Sequence, residues 1–165
     1  EMQRSLVGSE MCIRDRNNAW LLNLGLETLH LRMPRHCENA KKVAEYLKNN
    51  EKITWVKCAM LDDDSQHEIA MKYMPNGTCG VVSFGIKGGR EAATVFMDSL
   101  KLAAIVTHVA DARTCCLHPA STTHRQLTDK ELEECGVTPD LLRFSCGIED
   151  ADDIIEDIQQ ALDKI

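Results

Sequence analysis

Three short strand-like runs, at 51–58, 79–86 and 141–146, stand apart from one another in the chain, the first marked by β-branched and aromatic residues, with 114–118 able to form a further strand. The stretches between them carry apolar residues at helical spacing. Strands so few, alternating with helices, restrict the chain to an α/β arrangement: a small mixed or antiparallel sheet with helices on one face. The first run places Ile53 and Trp55 on one face and Thr54 and Val56 on the other. The second, CGVVSFGI, reads as a buried strand. The third holds one arginine, Arg143, among Leu141, Leu142 and Phe144.

The helices have their own signals. Residues 17–29 contain Ala19, Trp20, Leu21, Leu22, Leu24 and Leu26, dense enough for a buried helix. Residues 31–49 form a second helix on Val43, Ala44 and Leu47, with Pro34 restricted to a first turn or a kink. A short helix over 67–74 stops at Pro75, Asn76 and Gly77. Gly88 and Gly89 separate the second strand from a helix over 90–100 that buries Ala93, Phe96 and Leu100. Thr128 and Glu131 form a capping box for a helix ending at Gly136. A last helix over 150–165 aligns Ile154, Ile155, Ile158, Ala161, Leu162 and Ile165, with acids in its first turn.

Composition excludes some functions. A net charge of −7 offers no basic face for nucleic acid. No apolar run reaches the roughly 18 residues of a membrane span. The eight cysteines are irregularly spaced and form no CxxC, which points to reduced thiols and a cytoplasmic protein. Residues 1–16 share no pattern with the remainder of the chain. The run LVGSEMCIRDR resembles the translation of a sequencing adapter, so 17–165 is expected to be the genuine domain, cut from a longer protein.

Two stretches carry the candidate chemistry. Arg143 in an apolar strand needs an anion: a bound carboxylate gripped by two parallel hydrogen bonds, or an acidic helix residue. The loop HPASTTH, 118–124, is dense in hydroxyls between two histidines. With Cys115 or Cys116 these histidines match no common zinc spacing, and no GxSxG elbow is present. A hydrogen-bonded loop is the plainer reading. GIKGG, 85–89, lacks the phosphate-binding fingerprints and suits a tight turn. Asp62, Asp63 and Asp64 read as a solvated loop.

At these residues the chain resembles the C-terminal domain of the pyridoxal-phosphate enzymes of cysteine and methionine metabolism. The matching runs are GLETLHLRMPRHCENAKKVAEYL (25–47), PNGTCGVVSFGIKGGREAA (75–93), HVADARTCCLHPASTTHRQL (108–127) and GVTPDLLRFSCGIED (136–150). The resemblance implies the small C-terminal domain of a fold-type I enzyme with pyridoxal 5'-phosphate as cofactor, assembled as a homo-oligomer, usually a tetramer. It looks most like the members that replace the acetate of O-acetylhomoserine with sulfide or a thiol, giving homocysteine or methionine. Sister members that make or cleave cystathionine, or cleave methionine, stay open, as does a standalone amino-acid-binding domain without catalysis. By resemblance Arg143 grips the substrate α-carboxylate and Thr123 lies near the substrate. His108 stands where many members carry serine or asparagine, so its side-chain role departs from the pattern. The Schiff-base lysine of the family sits in a Ser-x-Thr-Lys run. Here Lys57 lies in WVKC and Lys87 in GIKGG, so this chain is expected to hold no catalytic residue and no metal.

Overall fold

The computed structural model describes residues 16–165. The adapter-like run 1–16 therefore falls outside the described residues, apart from Arg16. The chain divides into two compact units, Glu1–Arg32 and Met33–Ile165.

In the first unit, helix α1 (Arg16–Glu27) forms where the apolar residues are dense, and Arg32 closes the following turn by donating from Nη2 to the Gly25 carbonyl at 2.6 Å. The expected burial is absent. No residue of α1 is buried, and Trp20 and Leu22 are 59% and 64% exposed. Apolar density produces a helix with a greasy surface, but the pattern alone does not state what covers it. Helix α2 (Leu29–Lys48) carries Pro34 in its second turn, where it withholds one helical hydrogen bond.

The second unit contains β1 (Ile53–Lys57), α3 (His67–Tyr73), β2 (Val81–Ile86), α4 (Gly89–Ser99), β3 (Ala104–Ile105), β4 (Cys115–Leu117), α5 (Asp129–Glu134), β5 (Leu141–Ser145) and α6 (Ala151–Leu162). The strands form one sheet in the order β1-β2-β5-β4-β3. All neighbouring pairs are antiparallel except β3 with β4, which makes the sheet mixed. Val82, Phe84, Ile86, Leu142 and Phe144 point to one face. Ala40, Val43, Ala44 and Leu47 of α2, Ala93 and Phe96 of α4, and Ile154, Ile158, Ala161 and Leu162 of α6 join them in the core. The Phe84 ring meets Phe96 edge-on, with centroids 6.0 Å apart. Helices α2, α4 and α6 thus pack on one face of the sheet.

One strand departs from its expected pattern. Ile53 pairs with Ile86, Trp55 with Gly85 and Val56 with Phe84, so the register slips at Thr54. The bulge puts Ile53 and Val56 on the core face and turns Trp55 to the other, where its Nε1 donates to Asp140 at 3.1 Å. The expected sharing of a face by Ile53 and Trp55 is corrected by that one extra residue.

Caps and turns fix the ends. The capping box is complete: the Thr128 hydroxyl accepts from the Glu131 amide and Glu131 accepts from the Thr128 amide at 2.8 Å. Gly88, at φ 99°, sits in the left-handed region at the entrance to α4, which explains the glycine pair there. Asp150 caps α6 by accepting from the Asp152 amide. Buried Asp157 on α6 accepts the backbone amides of Lys101, Leu102 and Ala103 at 2.8–3.0 Å, so one carboxylate ties down the chain leaving α4. Among the described residues no helix is long and apolar enough to cross a membrane.

Candidate functional site

β5 alternates sides, so the period that buries Leu142 and Phe144 sends Arg143 and Ser145 to the sheet face away from the helices. Arg143 stands between Ser83 of β2 and Leu117 of β4. Across it runs the segment 107–114. The half-buried Arg143 donates from Nη2 to the Thr107 carbonyl at 2.8 Å, and its buried Nε has no partner. Among the described residues Arg143 pairs with no carboxylate, so the acidic helix partner allowed by the sequence is not what holds it. An arginine with an idle, desolvated N–H is poised for an added acceptor, because leaving that donor unmade costs free energy.

The same segment is held at its far end. Ser145 Oγ accepts from the Ala110 amide at 3.3 Å, with Ala110 in the left-handed region at φ 58°. Beyond the strand, the Ile148 amide donates to the Ala112 carbonyl at 2.9 Å. Glu149 accepts from both the Thr114 amide, at 2.7 Å, and the Thr114 hydroxyl, at 2.9 Å. From the opposite side, Asn39 of α2 donates to the Gly147 and Glu149 carbonyls at 2.9 and 2.8 Å. His36, also buried, donates from Nδ1 to the Cys146 carbonyl at 2.6 Å.

His108 lies next to Thr107, so its backbone flanks the Arg143 guanidinium. Its exposed ring contacts Asp111 at 2.9 Å. That bond, with further help from Arg113, holds the Asp111 carboxyl down at about 2. The segment therefore carries a persistent negative charge at Asp111, which faces the His108 ring and, at 3.5 Å, the Arg113 guanidinium.

The HPASTTH loop leaves the end of β4, beside the beginning of β5. Buried His118 organises it: Nε2 donates to the Pro139 carbonyl at 2.8 Å, which leaves Nδ1 to accept from the Ser121 hydroxyl at 2.9 Å. Burial lowers the pKa of His118 from its ordinary value, so the ring is neutral. Thr122 donates to the His118 carbonyl at 2.7 Å. Thr123 is exposed, with its hydroxyl against the His124 ring at 2.9 Å. Arg143 is thus bonded to Thr107, the residue before His108, while Thr123 stands on a separate loop with its hydroxyl bonded to His124.

A histidine kept neutral by burial makes stability depend on pH. Below about pH 6.5, the ordinary imidazole value, an unfolded chain takes up a proton at His118 that the folded chain resists. Stability from this residue is complete above that pH and is lost as pH falls toward the lowered folded value. The chain is expected to lose more stability between pH 7.5 and 5.0 than its His118→Gln variant, in paired urea titrations. Equal losses would assign the ring no part in the acid response.

Sequence reasoning missed Thr114, Ser145, Glu149, Asn39 and His36. The signal was partial: Glu149 lies in LRFSCGIE, directly before a helix cap. Its partner Thr114 is 35 residues earlier, and Asn39 is 110 residues earlier, beyond any local pattern. The aspartates of 62–64 are engaged structurally: Asp63 pairs with Lys48 at 2.7 Å, and Asp64 accepts from the Cys58 amide at 3.1 Å. Among the described residues no group of three or more His, Cys, Asp or Glu side chains is placed to hold a metal ion.

Comparison with known proteins places the chain in a wider group. The O-acetyl-L-homoserine sulfhydrylase of Leptospira meyeri is 47% identical over 149 residues, covering 90% of this chain and 34% of that protein. The homocysteine synthase of Schizosaccharomyces pombe is 48% identical over 144 residues, covering 87% of this chain and 34% of that protein. The L-methionine gamma-lyase of Fusobacterium nucleatum is 41% identical over 148 residues, covering 90% of this chain and 37% of that protein. A crystal structure of an O-acetylhomoserine (thiol)-lyase from Campylobacter jejuni, which carries a pyridoxyl-lysine phosphate, matches with a TM-score of 0.83 at 38% identity. That match covers 89% of this chain and 35% of that one. The chain spans about a third of the length of the curated relatives it matches. The family profile described as Cys/Met metabolism PLP-dependent enzyme matches residues 4–163. With that span and these identities, the chain belongs to the Cys/Met metabolism PLP-dependent enzyme family, whose cofactor is pyridoxal phosphate.

Proposed function

We propose that this chain supplies the substrate-carboxylate end of an enzyme that replaces the γ-acetate of O-acetylhomoserine with sulfide or a thiol, giving homocysteine or methionine. The observation that carries the reading is Arg143: half-buried on the open sheet face, fixed through Nη2 to Thr107, with a buried Nε lacking an acceptor. A planar guanidinium in that state matches an amino acid α-carboxylate. In this reading Arg143 orients the substrate, the backbone beside His108 borders its carboxylate, and Thr123 approaches from the neighbouring loop. The 41% identity to a methionine gamma-lyase supports elimination from methionine as the second reading.

The residues of this chain do not fit the cofactor itself. Every lysine is exposed except half-buried Lys52, which donates to the Leu162 and Ile165 carbonyls. Pyridoxal phosphate therefore meets no enclosed, unengaged lysine among the described residues. The purified chain is expected to form no homocysteine from O-acetylhomoserine and sulfide; measurable turnover would refute this.

The test of the site itself is binding. O-acetyl-L-homoserine added to the isotope-labelled chain is expected to shift the Arg143 Nε–H resonance. Arg143→Lys should weaken that binding about 100-fold, because a point ammonium replaces a fixed two-pronged donor. A wild-type chain that shows no response at saturating ligand would overturn the carboxylate reading.

A further inference from the structure

We propose that Glu149 is a positioning residue for the carboxylate grip: through Thr114 it sets the segment 107–114 against which Arg143 is held. The inference deepens the function proposed above and rests on it.

The run RFSCGIE places four consecutive aids to one segment. Arg143 holds Thr107, Ser145 holds the Ala110 amide, Ile148 holds the Ala112 carbonyl, and Glu149 takes both donors of Thr114. The contacts climb the segment in order, so strand and segment are laced at four points. Glu149 contributes the only side-chain charge to the two contacts on Thr114. Charge-assisted bonds of that kind are about twice as strong as neutral ones. Thr114 passes the constraint on, since its hydroxyl also accepts from the Gly147 amide at 2.9 Å. Gly147 is bare for a physical reason. A Cβ there would stand 2.5 Å from the Thr114 nitrogen and closer still to the Ala112 carbonyl oxygen and Glu149. Asn39 braces the same turn from the helix side. Glu149 touches neither Arg143 nor the open face in front of it. Its effect is geometric: it fixes where Thr107 sits, and therefore which guanidinium hydrogens stay available.

The experiment uses the full chain, labelled with nitrogen-15, as Glu149→Ala, Glu149→Gln and Thr114→Val beside the parent. Two readings are taken on each. The first, without ligand, is hydrogen exchange at the Ala110, Thr114 and Ile148 amides and the position of the Arg143 Nε–H resonance. The second is titration with O-acetyl-L-homoserine. Glu149→Ala is expected to speed exchange at those amides by about tenfold, as loss of a charged acceptor predicts. It should also move the Arg143 resonance and weaken binding by a similar factor, with the Phe84 amide unchanged. Glu149→Gln retains an acceptor for Thr114 and should recover most of the binding, which a general loss of stability would not allow. Thr114→Val, which keeps the residue's shape, should reproduce the Arg143 shift in milder form.

An Arg143 resonance and affinity unchanged in Glu149→Ala overturn the positioning role, while parent binding leaves the carboxylate reading standing. Faster exchange with unaltered affinity overturns it equally, reducing Glu149 to a structural brace. A parent that binds no ligand overturns the carboxylate reading, and the positioning role falls with it.

Discussion

Gly147→Ala is expected to be the most damaging single methyl that can be added to this chain, lowering unfolding free energy by about 3 kcal/mol. Two of the three atoms its Cβ would strike belong to backbone, the Ala112 oxygen and the Thr114 nitrogen, and cannot swing aside as a side chain does. The third, Glu149, would have to give up Thr114 to make room. The change therefore adds overlap and removes hydrogen bonds at the same point. Urea unfolding followed by circular dichroism measures it. A midpoint matching the parent's would show that the turn relaxes freely and that the close approach is incidental.

Asp157→Ala is expected to cost about as much, roughly 3 kcal/mol, by a different route. The carboxylate accepts three successive amides, Lys101, Leu102 and Ala103, and a bond from Gln160 Nε2 at 3.1 Å. Truncation strands the buried Ala103 amide and removes the acceptor of the part-buried Lys101 and Leu102 amides; a buried donor left unpaired costs about 1 kcal/mol or more. Asp157→Asn, which keeps one acceptor oxygen, should lose roughly half as much. Amide exchange at residues 101–103 should accelerate in step with the stability loss. Unchanged exchange there would deny Asp157 this role.

The residues most easily read from sequence were those whose partners lie within a few positions. The capping box at Thr128, the acidic start of α6 and the Gly88 turn each depend on contacts three residues apart or fewer, and each forms as expected. The apolar stripe of α6 was equally legible, since its period states which side faces inward. Trp55 escaped because one inserted residue reverses alternation, and nothing in ITWVK marks Thr54 as the extra one. The exposure of α1 escaped for a related reason: periodicity reveals an apolar surface but not what lies over it. Arg143 announced itself as a charge in an apolar run. Its neighbours at 107–114 did not, because short polar side chains acquire their roles only when β5 comes alongside.

The strand order carries one further consequence. β5, the last strand along the chain, lies in the middle of the sheet, between β2 and β4. Until residues 141–145 emerge, the facing edges of β2 and β4 have no strand to lie between them. Only when residues 141–145 appear can those edges be joined, across a separation of about 60 residues from β2. Such distant pairing is slow, and unpaired edges invite wrong partners meanwhile. A chain that stops before Leu141 lacks the one strand that bridges β2 and β4, so the sheet cannot close across its middle.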